Sequence, residues 1–197
     1  MDDEKKAADE LIGKIAEDDR SALGTLYELF KSSVYGLALA ILKNRSDAED
    51  VMQNVFLKVW DNAPSYRSGT DAGAWIMKIT RNLSLDRFRK QKNMTDIMTV
   101  EDSLQGGDDL SPELDRMLLD HLLTALDCTE RQIVMLHDVG GYTHREIAQI
   151  LGKPGATVRW KYGNAMKKLQ SFFEKEDSYD EKVQLAAKAC KSASFRG

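Results

Sequence analysis

Cysteine, proline and long apolar runs are all scarce in this chain of 197 residues. Only Cys128 and Cys190 occur, which excludes a disulfide framework and any Cys-x-x-Cys metal knuckle, and points to a reducing, cytoplasmic compartment. No run of about eighteen apolar residues exists, so no stable membrane insertion is expected. The opening Met1-Asp2-Asp3-Glu4 is acidic where a secretory signal would be basic and then apolar, so secretion is not expected either. Strand-like alternation is almost absent, and Pro64, Pro112 and Pro154 each stand where an apolar period stops or starts. His121, His137 and His144 share no metal-ligand spacing, and no Ser-His-Asp, Walker-type or Gly-x-Gly-x-x-Gly arrangement occurs. No catalytic residue, metal or cofactor is therefore expected. Hydrophobic residues at 42% can supply a core, and a charged fraction of 30% describes a soluble chain.

Charge is distributed in blocks that the net value of −4 conceals. Lys78, Arg81, Arg87, Arg89, Lys90 and Lys92 are opposed within their stretch only by Asp86. From Thr95 to Asp120 the balance reverses, with Arg116 the sole base among many acids. Lys153, Arg159, Lys161, Lys167 and Lys168 then follow with no acid between them. Two basic blocks flanking an acidic one suggest two polyanion-facing modules on a linker that avoids polyanions. Solvated helix faces are the plainer explanation of any single block.

Helical periods and their punctuation predict an all-α fold of two small helical domains joined by a flexible acidic linker, the second a helix-turn-helix. Leu23, Leu26, Phe30, Val34, Leu37 and Ile41 mark a long amphipathic helix. After Asn44-Arg45 a second helix buries Val51, Met52, Val55, Phe56, Val59 and Trp60, and turns Asp47, Asp50, Gln53, Asn54, Leu57 and Lys58 outward. A polar loop, 64–71, precedes a third helix over Thr70 to Lys92 that buries Trp75, Ile76, Ile79, Leu83 and Leu85 or Phe88. Capping boxes are expected at Ser46-Asp47-Ala48-Glu49, Thr129-Glu130-Arg131-Gln132 and Thr143-His144-Arg145-Glu146, and a cap with proline at Ser111-Pro112-Glu113. The expected domains are 9–92 and 111–175, with a linker at 93–110 and a tail of no assigned role at 176–197.

Thr143 to Leu151 is expected to form one short helix, Gly152-Lys153-Pro154 a tight turn, and a longer helix to begin near Gly155. Ile147, Ala148 and Leu151 can pack on Val158, Tyr162 and Leu169, with Ala148 at the close approach. The second helix then presents Thr157, Arg159, Trp160, Lys161 and Asn164 outward, side chains that can contact base edges and phosphates in a major groove.

Asp47-Ala48-Glu49-Asp50-Val51-Met52-Gln53-Asn54-Val55-Phe56-Leu57-Lys58-Val59-Trp60 resembles the polymerase-binding helix of bacterial sigma factors of the extracytoplasmic-function (ECF) subgroup. Ala74 to Asn82, with Asp86-Arg87 and Arg89, resembles their promoter-melting helix, and Leu126 to Leu169 their distal promoter-reading domain. The resemblance covers about Asp9 to Phe173 except the linker. It implies docking on the β′ clamp helices of core RNA polymerase, with further contact to the β subunit, through Asp50, Gln53, Asn54 and Leu57. Tyr66, Arg67, Lys78, Arg81, Asn82, Arg87 and Arg89 would then read and open the minus-ten element. The helix-turn-helix would read the minus-thirty-five element, and an anti-sigma factor would be the inhibitor. The chain carries Asn54 where the family often has glutamate, and Trp160, Asn164 and Met166 where serine and two arginines are usual.

Two other classes fit parts of the sequence. A stand-alone repressor or activator would use the helix-turn-helix as a symmetric dimer on a palindrome. A metal-dependent phosphodiesterase would need Asp47, Glu49 and Asp50 to hold a divalent ion, although capping and the helix dipole explain acids in a first turn equally well.

Overall fold

The computed structural model describes residues 2–95 and 124–171, with side chains placed over 6–91 and 124–171. Among the described residues every regular element is helical. The chain runs through α1 (Asp2–Ala16), α2 (Arg20–Leu42), α3 (Arg45–Asn62), a 3-10 turn at Ala63–Ser65 and α4 (Ala72–Thr95). It resumes with α5 (Cys128–Val134), a π turn at Met135–Val139, α6 (His144–Leu151) and α7 (155–171). Residues 96–110 of the expected linker, the Ser111-Pro112 cap and the tail at 176–197 lie outside the described residues.

The cause of this architecture is α2. Its first half is amphipathic, but its second half, from Gly36 to Leu42, is buried all round. A helix apolar on every side must be covered on every side. α1, α3 and α4 cover part of it, and α5 with the π turn covers the rest. The two expected helical units are thus both present, and they share one core. Ile12, Leu26, Leu37, Ile41, Val55, Ile76 and Met77 of the first unit are continuous with Ile133, Leu136, Ile147 and Val158 of the second. A smaller cluster of Leu126, Val134, Ala165 and Leu169 holds α7 to α5.

Two glycines mark the seam. A Cβ at Gly36 of α2 would collide with Met135 Cε, and one at Gly73 of α4 would stand 2.7 Å from the Tyr142 hydroxyl. In both cases the nearest obstacle belongs to the second unit, the flexible end of Met135 at Gly36 and the buried Tyr142 at Gly73. α4 lies between the units, so Thr80 and Ser84 are buried along with Ile76 and Met77. Each hydroxyl returns to its own helix, Thr80 Oγ1 donating to the Ile76 carbonyl at 2.9 Å and Ser84 Oγ to that of Thr80 at 2.8 Å. Trp75, Ile79, Leu83 and Leu85 are only half-buried and Phe88 is exposed, because the covered face of α4 is shifted by the second unit.

Two of the expected caps move. The cap of α3 is Asn44, whose Oδ1 accepts from the Asp47 amide at 3.0 Å, so no capping box forms at Ser46. At α5 the box belongs to Asp127, which accepts from the Thr129 and Glu130 amides while Glu130 Oε2 takes the Asp127 amide at 2.9 Å. Thr129 is already inside the helix. The third box forms as expected, between Thr143 and Glu146. α1 has no counterpart among the sequence expectations: its apolar stripe of Ala8, Ile12 and Ile15 is short and set among charges.

Candidate polymerase and nucleic-acid interfaces

α3 buries Ala48, Val51, Val55, Phe56 and Val59, which leaves Asp50, Gln53, Asn54, Leu57 and Lys58 exposed on the other side. Leu57 is 61% exposed, an apolar side chain in a polar setting that the fold does not use. Asn54 is engaged locally, its Nδ2 donating to the Asp50 carbonyl at 2.7 Å. Asp47 does not belong to this outward face. It is nearly buried, and it receives Arg87 Nε at 3.0 Å and the Gln91 amide from α4. Arg87 Nη2 also reaches Asp50 Oδ2 at 3.5 Å, so one arginine of α4 is shared by two acids at the start of α3.

That contact redraws the basic face of α4. Lys78, Asn82 and Arg89 stand at spacings of four and seven and share one exposed side. Arg89 pairs with Asp86 at 3.2 Å within its own helix. Arg87 lies on the opposite side, tied to Asp47. Arg81 is half-buried and turned to the second unit, its Nε donating to Gln132 Oε1 at 3.3 Å.

The loop before α4 is held by an acid that sequence reasoning missed. Asp9 of α1 accepts from the Tyr66 hydroxyl at 2.7 Å, the Ser68 hydroxyl at 2.7 Å and the Gly69 amide. The Ser68 bond leads in holding the Asp9 carboxyl below its ordinary value. Tyr66 is half-buried with its ring 4.9 Å from that of Trp75, and burial pushes its hydroxyl up to about 12. Tyr66 thus anchors the loop, while Arg67 beside it is exposed. A lone Asp amid the charges of α1 carries no sequence signal for this role.

The second unit has helix-turn-helix geometry. α6 is capped by Gly152 in the left-handed region (φ 63°), and α7 begins at 155 after Lys153 and Pro154. Ile147, Ile150 and Leu151 pack with Val158, and Tyr162 reaches both cores. On α7 the exposed residues are Ala156, Arg159, Trp160, Gly163 and, toward its end, Met166, Lys167, Lys168, Gln170 and Ser171, with Thr157 and Asn164 half-buried at the edge. Lys161 is half-buried and tied back to the start of α5: its Nζ donates to Asp127 Oδ2 at 2.6 Å. Burial works to raise the Asp127 carboxyl, but Lys161 and the Glu130 and Thr129 amides outweigh it and hold the pKa below the usual value. Lys168 likewise pairs with Glu130, whose side chain is 4% exposed. Lys167, seven residues past Trp160, takes the outward place that the sequence reading assigned to Lys161.

Among the described residues no helix is long and apolar enough to cross a membrane. Residues 26–94 match the Sigma-70 region 2 family and residues 116–169 the Sigma-70 region 4 family. The chain is 26% identical over 171 residues to the ECF RNA polymerase sigma factor SigK of Mycobacterium bovis (strain BCG / Pasteur 1173P2), covering 83% of this chain and 91% of that protein. It is 25% identical over 176 residues to SigK of Mycobacterium sp. (strain JLS), covering 83% and 89%. Its fold is similar to that of CnrH in complex with the cytosolic domain of CnrY (TM-score 0.64, 23% identity, 85% of this chain and 97% of that one). It is also similar to the sigma factor RpoE in complex with the anti-sigma factor NepR from Bartonella quintana (TM-score 0.65, 21% identity, 77% and 96%). The helical unit built on α2 to α4 is therefore a region 2, the helix-turn-helix unit is a region 4, and the chain belongs to the ECF group of RNA polymerase sigma factors.

Proposed function

We propose that this chain works in the cytoplasm as an initiation factor without catalytic chemistry of its own, docking on core RNA polymerase through the outward face of α3 and directing it to promoters. The observation that carries the reading is that face: Leu57, strongly exposed, set beside exposed Asp50, Gln53 and Asn54, none of which the core requires. Arg67, Lys78, Asn82 and Arg89 offer a cationic and amide surface to the start-proximal element, and single-strand capture needs such a surface. Arg159, Trp160 and Lys167 of α7 face the distal element. Arg81 joins the start-proximal set once Gln132 releases it.

Docking on polymerase licenses DNA binding in this reading. While the units share a core, Arg81 is held by Gln132 and the two DNA-facing surfaces have a fixed spacing. Core polymerase would set a different spacing and bring the second unit to duplex DNA at high effective concentration. The solved relatives named above are complexes with CnrY and with the anti-sigma factor NepR, and a protein inhibitor of comparable kind is proposed for this chain.

The test adds purified protein to sigma-free bacterial core polymerase and a genomic promoter library. Promoter-specific transcripts that require the protein are expected. Tight, sequence-specific duplex binding by the free protein as a symmetric dimer, with no polymerase-dependent transcript, would replace this reading with a stand-alone regulator.

A further inference from the structure

The exposed side of α7 is unusual for a surface meant to meet DNA, because its most prominent group is apolar. Trp160 is 63% exposed, the highest value among the exposed large hydrophobic side chains of the described residues. The fold makes little use of it: Lys161 Nζ lies 5.8 Å from the ring centroid while that amine is bonded to Asp127. Two of its neighbours along the same side are small. Ala156 stands four residues before it and Gly163 three after, and a Cβ at Gly163 would meet nothing within 4 Å. Thr157 and Asn164, the other two, are half-buried, so the indole is the most exposed large apolar group of this side. Along α7 the exposed charges beside it, Arg159 and Lys167, are basic, and Asp127, an acid near it, is paired with Lys161. No acid occurs between Lys153 and Lys168.

An apolar plate in a cationic frame, on the second helix of a helix-turn-helix, fits the floor of a major groove with phosphates on both rims. Within that groove the one apolar group on a standard base edge is the C5-methyl of thymine. We propose that Trp160 is a specificity-determining residue that reads a thymine methyl in the distal promoter element by hydrophobic contact. The inference rests on the promoter-reading function proposed above and adds the base and the chemical group. It also reassigns the work on this helix: Arg159 and Lys167 hold the phosphates or a guanine, Lys161 supports the cap of α5, and the base preference at one position comes from apolar burial. Gly163 and Ala156 allow the helix axis to approach closely enough for the indole to reach that edge. A protein partner seated on the indole is the competing occupant. The acid-free stretch from Lys153 to Lys168 and its place on the second helix of the helix-turn-helix favour DNA.

The test uses the full chain bound to core polymerase. A promoter pool randomised over the distal region is enriched for bound templates, and each thymine of the enriched element is then replaced singly by deoxyuridine. That exchange removes the methyl and leaves base pairing intact. At one thymine, uracil should weaken promoter binding by the wild-type holoenzyme about fourfold, the worth of one buried methyl group. W160A should bind the parent promoter more weakly and lose the uracil effect, whereas W160F, which keeps an apolar ring, should retain part of it. Unchanged melting temperatures for both variants are expected because the side chain is exposed. Equal uracil sensitivity in wild type and W160A would overturn the proposal. So would an element enriched identically by both, the outcome expected if a protein occupies Trp160. Failure of wild-type holoenzyme to enrich any distal sequence, with transcription still promoter-specific, would overturn it as well. Absence of all promoter-specific transcription would instead remove the function on which it rests.

Discussion

Arg131 is the side chain on which the relation between the two units turns. It is 6% exposed, yet it carries a guanidinium whose pKa burial pulls down without neutralising it. Its Nε donates to the Ala40 carbonyl at 2.7 Å, in the last turn of α2, and its Nη1 to the Leu126 carbonyl at 2.6 Å. A cation there answers both the free carbonyls and the negative end of the helix dipole. R131A should cost about 2–4 kcal/mol, from lost charge-assisted bonds and a cavity, read as a lowered midpoint in urea unfolding. The exposed residues of α3 should behave in the opposite way. L57A or Q53A should weaken binding to core polymerase by about 1–3 kcal/mol and leave the melting temperature nearly unmoved. A binding titration against a thermal melt separates the two roles. A fall in melting temperature with core binding intact would make these residues structural.

At the scale of elements, a cluster inside the helix-turn-helix predicts pH sensitivity. The His144 ring stacks on His137 at 4.7 Å and meets Tyr162 edge-on at 5.0 Å, and its Nε2 is buried without a hydrogen-bond partner. His137 and Asp138 face it from the π turn, and Arg159 and Tyr162 from α7. Burial first, then His137 and Arg159, lower its pKa below 6.5, with Asp138 opposing. The folded state thus favours neutral imidazole, while the unfolded chain takes up a proton below pH 6.5. The stabilisation is fully present above that pH and is lost as pH falls toward the folded pKa. Thermal melts at about pH 7.5 and 5.5 should show this loss in the wild type and a smaller one in H144Q. The same scale shows why some caps were legible and others not. Thr143 and Glu146 have no rival nearby, whereas Asp127 and Thr129 both precede suitable acids or amides, and only the extended backbone at Asp127 (ψ 162°) decides between them. The pairings of Arg87 with Asp47 and of Lys161 with Asp127 were hidden for a related reason, since a basic residue on a helix shows no partner until a facing acid is known.

For the whole molecule, the shared core makes separation of the units a measurable event. Gly73 is the point at which to force it, because a side chain there meets the Tyr142 hydroxyl at 2.7 Å and Phe30 Cε1 at 3.4 Å. G73V should drive the second unit away from α4, raising the radius of gyration in small-angle scattering. Free-chain affinity for promoter DNA should rise with it, since Arg81 would leave Gln132. Unchanged scattering with unchanged DNA affinity would mean that the seam absorbs the extra methyls and the packing does not govern access.

The helical class, the order of the units, the outward face of α3 and the helix-turn-helix were legible before any packing, because each is written in a period or a turn of a few consecutive residues. Even the family was legible in that way, from three motifs in order. Only the packed molecule shows that the units share a core, that Gly36 and Gly73 face a distant partner, that Asp9 holds the loop, that Asp47 is buried and that Lys161 is tied to Asp127. These depend on pairs separated by tens of residues, such as Asp9 with Tyr66, Asp47 with Arg87 and Ala40 with Arg131. A charge or a glycine has no local period, so its role is set by what the fold places opposite it.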